Sequence, residues 1–210
     1  MNNTERIDHL VYTASNLTTG MDEIERLLGV RPVPGGQHPD FGTHNALLSI
    51  GSSTYLEVIA PDPSLKSPEQ GLLFRKHFKQ TPRLTRWVIS TDEIDELANK
   101  VSDGGFNLGN VQSGSREKPD GTVLSWKLTD IRVMPLDGAV PFLISWGDTP
   151  HPARSAPQAG ELVELKIEHP NPSKVKEALE LIGVKIKVIE AVRIRLIAII
   201  KTKKGEKEIF

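Results

Sequence analysis

An internal repeat is the feature of this sequence that most constrains its fold, because a repeated unit decides the architecture of the whole chain. The first copy contains a helical stretch that ends at Gly29, a typical residue for the end of a helix. Alternating or apolar runs predict its strands at residues 7–12, around 29–33, 45–50 and 55–60. The unit therefore has the order β-α-β-β-β.

The same order of elements recurs between Leu84 and Asp148. The spacing of Ile94, Leu97 and Val101 predicts the buried stripe of a helix. The strands of this copy are expected near Trp87 and at residues 107–111, 122–128 and 141–146, with a turn at 119–121. Modules at about residues 5–62 and 84–148 predict one α+β domain of paired βαβββ modules over residues 1–150.

Residues 161–210 are interpreted as a partial third module of βαββ type. Their helix ends in Leu181-Ile182-Gly183-Val184, which is close to Leu27-Leu28-Gly29-Val30 of the first copy. An unfinished module leaves a sheet edge without a neighbour, and the alternation from Val192 to Ala198 would expose apolar surface there. We therefore expect the tail to pack on the main sheets or to pair with a second chain in a homodimer.

Charge and cysteine content exclude several classes of function. The 26 basic and 27 acidic side chains give a net charge of −1, which provides no general field for nucleic acid or an anionic membrane surface. The absence of cysteine excludes disulfides and thiolate chemistry, so any metal must use histidine and carboxylate ligands. No signal peptide, membrane span or nucleotide or flavin motif is recognisable, which predicts a cytoplasmic location.

Four segments resemble the glyoxalase-like branch of the vicinal oxygen chelate superfamily: residues 7–12 (IDHLVY), 42–48 (GTHNALL), 55–62 (YLEVIAPD) and 146–152 (WGDTPHP). The resemblance covers nearly the whole chain. It implies that the paired modules form curled mixed sheets around a cleft that binds a small molecule. It also implies a divalent metal, often held by a residue on the first strand and a carboxylate on the last strand of each module.

In the first module, the resemblance places His9 and Glu57 at the metal positions. Alternation puts each of them on an otherwise apolar strand face, and a buried carboxylate requires a cation or several donors nearby. A His9–Glu57 pair that only satisfies itself in the core would also meet this requirement, but the resemblance favours a cavity site. In the second module, the alignment places Arg86 and Leu143 at these positions, and neither is a metal ligand.

Two completions of this site remain open. Glu164 of the partial third module, or His38 or His44 from the loop at residues 35–45, could provide a third metal ligand. Alternatively, Arg86 replaces the metal, because a guanidinium is permanently charged and binds a carboxylate through two hydrogen bonds.

Ligand contacts are expected from Arg86, Asn45, His44, His38 and Trp146, and the expected ligand is a small anion. The leading hypothesis is an isomerase or lyase that acts on a carbonyl- or carboxylate-bearing metabolite. The divalent metal or Arg86 would stabilise an oxyanion, while His9 and Glu57 are catalytic and Glu57 is the base if no metal binds. The alternative is a non-catalytic protein that sequesters a small molecule, as bleomycin-resistance proteins do.

Overall fold

The computed structural model describes residues 4–65, 78, 81–117 and 123–210. The turn expected at residues 119–121 lies outside these ranges. The first module consists of β1 (Ile7–Thr13), α1 (Leu17–Leu28), β2 (Val33–His38), β3 (Thr43–Ser49) and β4 (Tyr55–Pro61). The second consists of β5 (Arg83–Ser90), α2 (Ile94–Asp103), β6 (Val111–Glu117), β7 (Val123–Thr129) and β8 (Phe142–Ser145). The rest forms β9 (Gly160–His169), α3 (Pro172–Ile182), β10 (Lys187–Glu190), β11 (Arg195–Thr202) and β12 (Gly205–Ile209).

The strands of the first two modules form one eight-stranded sheet in the order β2-β3-β4-β1-β5-β8-β7-β6. Each module pairs its first strand in parallel with its last, and the antiparallel β1–β5 pair joins the modules. The sheet curls so far that its two edge strands, β2 and β6, contact each other. The prediction of an α+β fold with paired modules and a curled sheet is therefore confirmed.

Local signals explain where the first helix begins and ends. Asn16 accepts a hydrogen bond from the backbone N–H of Thr19, so its side chain caps the first turn of α1. Gly29 ends the helix in the left-handed region, with a φ of 80°. The following strand is β2 at Val33–His38, so the strand expected around residues 29–33 was placed too early.

The strand expected at residues 107–111 is also displaced. The Asn107 side chain accepts a hydrogen bond from the backbone N–H of Gly109, whose φ is 73°, and this turn keeps the segment out of the sheet. Strand β6 begins only at Val111. A short polar turn therefore prevents pairing in a segment whose composition suggested a strand.

The C-terminal segment repeats the element order of the modules with different pairing. Its sheet has the order β10-β9-β11-β12, so the first strand lies between the second and the third instead of beside the last. The segment has four strands and a helix, one strand more than the expected βαββ unit. Strand β11 begins only at Arg195, and Val192, expected in a strand, is 95% exposed.

The C-terminal sheet packs against the helix-bearing face of the main sheet. Residues from Ile7 in β1 to Ile209 in β12 belong to one continuous apolar core. The backbone N–H of Leu162 donates to the carbonyl of Ile50 over 2.7 Å, which ties β9 to the end of β3. The opposite, concave face of the main sheet is not covered by this layer. No helix within the described ranges is long and apolar enough to cross a bilayer.

Candidate active site

A cavity of about 220 Å³ lies on the concave face of the eight-stranded sheet. This volume is below the ~300–1,000 Å³ that is usual for drug-sized ligands, so the part bounded by described residues suits a small molecule. Its lining is divided in character. Polar lining residues include His9, Gln37, His38, Asn45, Glu57 and Arg86, and apolar ones include Trp126, Leu128, Ile131, Phe142, Ile144 and Trp146.

His9 and Glu57 both point into this cavity. In the parallel β1–β4 pair, His9 is opposite Tyr55 and Val11 is opposite Glu57. His9 and Glu57 therefore lie on the same face of the two strands as diagonal neighbours. His9 Nε2 lies 3.9 Å from Glu57 Oε2, and the side chains are only 6% and 13% exposed. The His9 ring also stacks on Tyr55 at a centroid distance of 4.5 Å, which restricts its rotation.

Asp8 is the residue of the site that sequence reasoning missed. In a regular strand, Asp8 and His9 would face opposite sides of the sheet. However, Ile7 pairs with Ile89 and His9 with Val88, so Asp8 is the extra residue of a β-bulge. The bulge brings Asp8 Oδ1 to 2.6 Å from His9 Nδ1, and the carboxylate is almost fully buried. No local sequence signal predicts such a bulge.

Two further donors converge on the Asp8 carboxylate. Trp146 Nε1 donates to Asp8 Oδ2 over 2.8 Å, and His151 Nε2 lies 3.1 Å from the same oxygen. The other ring nitrogen of His151 accepts from the backbone N–H of Ala153, so its Nε2 carries the proton that is donated to Asp8.

The pKa of Asp8 is held well below its ordinary value. Burial alone would raise this pKa, but hydrogen bonds from His151 and His9 outweigh the burial. The carboxylate is thus ionised at neutral pH and accepts the proton on His9 Nδ1. His9 therefore presents Nε2 to the cavity and to Glu57, the arrangement that general acid–base chemistry requires.

Asn45 positions the Glu57 carboxylate. It projects from β3 next to β4, and its amide Nδ2 donates to Glu57 Oε1 over 2.6 Å. His38 stands behind it, with Nε2 at 3.5 Å from the same amide and Nδ1 at 3.1 Å from Thr43 Oγ1. Because Asn45 holds Oε1, the oxygen facing His9 is Oε2.

Arg86 brings a positive charge to the same part of the site, because it pairs with Val11 from β5 while Glu57 is opposite Val11 from β4. Its guanidinium donates to the carbonyl of Ile131 and to Met134 Sδ, the latter over 3.0 Å. Burial lowers the pKa of Arg86 to about 10, and the negative charge of Glu57 opposes this effect. At neutral pH the buried guanidinium therefore remains charged.

The register of β1 with β5 relates the sites of the two modules. Leu10 pairs with Trp87, so Arg86 has the position in β5 that His9 has in β1. By the same relation, Val88 in β5 corresponds to Val11 in β1. Glu57 is opposite Val11 and Phe142 is opposite Val88, so Phe142 has the position in the second module that Glu57 has in the first. The alignment that put Leu143 at the Glu57 position was wrong by one residue, because Leu143 faces the apolar core.

The donor set does not fit a divalent metal. No cluster of three or more histidine, aspartate or glutamate side chains suited to a metal occurs within the described ranges. The second-module positions hold Arg86 and Phe142, and the charge of Arg86 disfavours a second cation beside Glu57. First-row divalent ions in enzyme sites usually take at least three protein ligands, and His9 and Glu57 supply only two.

Two expected site residues lie elsewhere. Glu164 belongs to β9 of the C-terminal sheet and forms an exposed ion pair with Lys166 at 3.3 Å, so it cannot complete a site in the cavity. His44 alternates with Asn45 along β3 and points away, with Nδ1 at 3.6 Å from Asp62 Oδ2. The other expected ligand contacts, His38, Asn45, Arg86 and Trp146, line the cavity.

Comparisons with solved structures give matches at low sequence identity. A hypothetical protein from Staphylococcus aureus shares the fold, with a TM-score of 0.62 and 16% identity over 96% of this chain and 83% of that chain. Methylmalonyl-CoA epimerase from Mycobacterium tuberculosis has a TM-score of 0.44 and 16% identity over 69% of this chain and 88% of that chain. Methylmalonyl-CoA epimerase from Streptomyces coelicolor, in complex with 2-nitronate-propionyl-CoA, has a TM-score of 0.45 and 17% identity over 70% of this chain and 98% of that chain.

No curated protein matches the sequence significantly. The family model described as a glyoxalase-like domain matches residues 7–183, which is most of the chain. The chain therefore belongs to the glyoxalase-like domain family, and the resemblance inferred from its sequence is confirmed.

Proposed function

We propose that this protein is an isomerase-type enzyme that moves a proton at the carbon next to the carbonyl of a small anionic metabolite. One observation carries the proposal: a carboxylate and an imidazole meet at 3.9 Å inside the cavity that Arg86 also lines. A proton acceptor, a second proton-transfer group and a cation are the parts that enolisation requires.

Arg86 is the proposed electrophile. Its guanidinium would bind the carbonyl or carboxylate oxygens of the substrate and stabilise the negative charge that develops on the carbonyl oxygen. Because the side chain is buried and held by Ile131 and Met134, it is oriented before the substrate arrives. The reaction needs no metal in this scheme, in keeping with the donor set.

Glu57 is the proposed base. Its Oε2 would take the proton as the C–H bond breaks, and the electron pair of that bond would move to the carbonyl oxygen to form an enolate. Return of the proton to the same carbon from the opposite face inverts that carbon and completes the isomerisation without an oxidant or a reductant. Asn45 supports this step because its bond to Oε1 orients the carboxylate and leaves Oε2 for the substrate.

His9 is the proposed partner of Glu57. With Nδ1–H donated to Asp8, its Nε2 can accept a proton from Glu57 and return it to the enolate from a different direction. The charge of Asp8 would stabilise the imidazolium that forms in this transfer. The four side chains therefore provide two exchangeable proton positions in the cavity.

Deuterium exchange tests the proposal without knowledge of the product. Small oxo acids, beginning with pyruvate, are incubated with the protein in D₂O, and loss of the signal of the hydrogens beside the carbonyl is followed by NMR. We expect exchange with the wild type and a decrease of at least ~100-fold in Glu57→Gln, the size typical of a lost general base. His44→Asn is the matched control, because His44 points away from the cavity.

Equal exchange in wild type and Glu57→Gln would overturn the proposal. So would the absence of enzyme-dependent exchange across the panel of acids. Binding without exchange would support the second candidate, a non-catalytic small-molecule binding protein. That candidate is favoured by one observation, the apolar wall formed by Trp126, Phe142 and Ile144.

A further inference from the structure

We propose that the ligand carries a planar aromatic group, and that Trp126 is the surface on which this group stacks. The inference rests on the proposed function for the anionic end of the ligand and extends it to the other end. The observations that carry it are the packing of Trp126 on Gly114 and the character of the cavity lining. We call the part of the lining with Arg86 and Glu57 the polar wall, and the part with Trp126 and Trp146 the aromatic wall.

Gly114 allows the Trp126 indole to lie against the sheet. The two residues pair directly between β6 and β7. A Cβ atom at position 114 would lie only 2.6 Å from Trp126 Nε1, 2.7 Å from Cε2 and 3.0 Å from Cζ2. The glycine has no positive φ that would require it, so the space it leaves for the indole is its distinguishing contribution. Gly114 and Trp126 both line the cavity, so the indole offers a flat surface to a ligand there.

Trp146 provides a second aromatic surface beside the first. The centroids of the two indoles are 5.5 Å apart, and their planes are inclined by 59°. The hydrogen bond from Trp146 Nε1 to Asp8 fixes the orientation of this ring. The two indoles thus form a rigid corner, whereas aliphatic side chains alone would give a wall without preference for a flat group.

The polar wall determines how such a ligand would lie. In the proposed function Arg86 holds the carboxylate and carbonyl groups and Glu57 faces the C–H bond, so the substituent on the carbonyl carbon must extend towards the aromatic wall. The small cavity volume restricts that substituent to about one ring. The predicted class of ligand is therefore an oxo acid whose aryl ring is attached to the carbon that carries the exchangeable hydrogen.

Two probes separate stacking from simple burial of apolar surface. Benzoylformate carries a phenyl ring on its carbonyl carbon, and cyclohexylglyoxylate carries a saturated ring with the same number of non-hydrogen atoms. We expect isothermal titration calorimetry to show benzoylformate binding about three- to tenfold more tightly, which is the fold-change typical of one aromatic pair. Equal affinities in the wild type would overturn the inference.

Two variants assign the preference to Trp126. Trp126→Leu should remove the preference between the probes, whereas Trp126→Phe, which keeps a smaller ring, should retain part of it. Gly114→Ala should weaken the preference without removing the indole, because the new methyl group displaces the ring. An undiminished preference in Trp126→Leu would overturn the inference, and thermal unfolding of each variant checks that it is folded.

The two proposals fail in different ways. Benzoylformate has no hydrogen on a carbon next to its carbonyl that the enzyme could exchange, so its binding does not depend on proton transfer. Exchange with pyruvate but equal affinity for the two probes would overturn only the aromatic preference. A clear preference without exchange of any acid would overturn the proposed enzyme and leave the stacking surface supported.

Discussion

Replacement of the buried Asp8 carboxylate by an amide tests the network behind His9. Asp8 accepts hydrogen bonds from His9 Nδ1, His151 Nε2 and Trp146 Nε1 at 2.6, 3.1 and 2.8 Å. In Asp8→Asn, the amide oxygen can keep the two bonds at Oδ2, but the amide N–H would then face the N–H of His9. The variant therefore loses one bond, unless His9 changes its tautomer, and also loses the charge that strengthens the other two.

The expected cost follows from these contacts. A hydrogen bond to a charged group contributes ~1.5–3 kcal/mol and one between neutral groups ~0.5–1.5 kcal/mol, so one lost bond and two bonds weakened by ~1 kcal/mol each amount to about 4 kcal/mol. Relief of the cost of burying the charge offsets part of this loss, which leaves about 2 kcal/mol of unfolding free energy. For a chain of this size, that loss lowers the melting temperature by ~4–8 °C. Urea denaturation at pH 7 measures the difference directly.

The pH dependence of this difference has a definite sign. The pKa of Asp8 is lower in the folded protein than its ordinary value of 3.8. Its contribution to stability is therefore complete above about pH 5 and is lost as the pH falls below 3.8 towards the folded pKa. The stability difference between wild type and Asp8→Asn should accordingly shrink between pH 5 and pH 3. A difference below about 0.5 kcal/mol at pH 7, or one that is unchanged at pH 3, would refute the reasoning.

The same variant should lose activity for a separate reason. If His9 changes its tautomer, its Nε2 becomes a donor and can no longer accept a proton from Glu57, so we expect deuterium exchange to fall by at least ~100-fold. Asp62→Asn is the matched control: Asp62 is also a buried carboxylate with a lowered pKa, but its partners are Ser64, Gln37 and His44. This control should lose stability and keep its exchange rate.

Four further predictions concern the cavity and the core. Asn45→Leu removes the 2.6 Å bond to Glu57 and should slow deuterium exchange in the NMR assay by ~10-fold or more. Arg86→Met should weaken benzoylformate binding by ~10–100-fold in calorimetry, and wild-type affinity should stay constant up to about pH 9 because the pKa of Arg86 is about 10. Dialysis against EDTA should leave the exchange rate unchanged, since the donor set does not fit a divalent metal; a loss of rate restored by a metal would contradict this. Gly20→Val should cost ~1–3 kcal/mol in urea denaturation, because even a Cβ atom there would lie 2.8 Å from Val58 Cγ1.

The strand faces of the candidate site could be predicted because side chains alternate along a strand. This rule placed His9 and Glu57 each on an otherwise apolar strand face, and in the structure both line the cavity. The same rule excludes His44, the neighbour of Asn45 on β3, which had been expected to contact the ligand. The sequence predicted a loop at residues 35–45, where no such period could be used to choose between His38 and His44; in the structure His38 ends β2 and His44 belongs to β3.

Strand pairing could not be predicted to the same precision. A register error of one residue exchanges the two faces of a strand, which is why Leu143 was assigned the place that Phe142 occupies. Glu164 follows a similar pattern to His9 in its own strand, but β9 belongs to a different sheet. A local likeness between segments therefore does not establish that they share a site.

The repeated βαβββ order, the paired-module fold and the family could be predicted because hydrophobic periods, turn residues and short motifs are local properties of the chain. The centre of the site depends instead on contacts between distant segments. The β-bulge at Asp8 arises from the pairing of β1 with β5, and Trp146 and His151 reach Asp8 from more than a hundred residues away in sequence. Contacts of this kind depend on register and curl, which many strands set together, and no single segment encodes them.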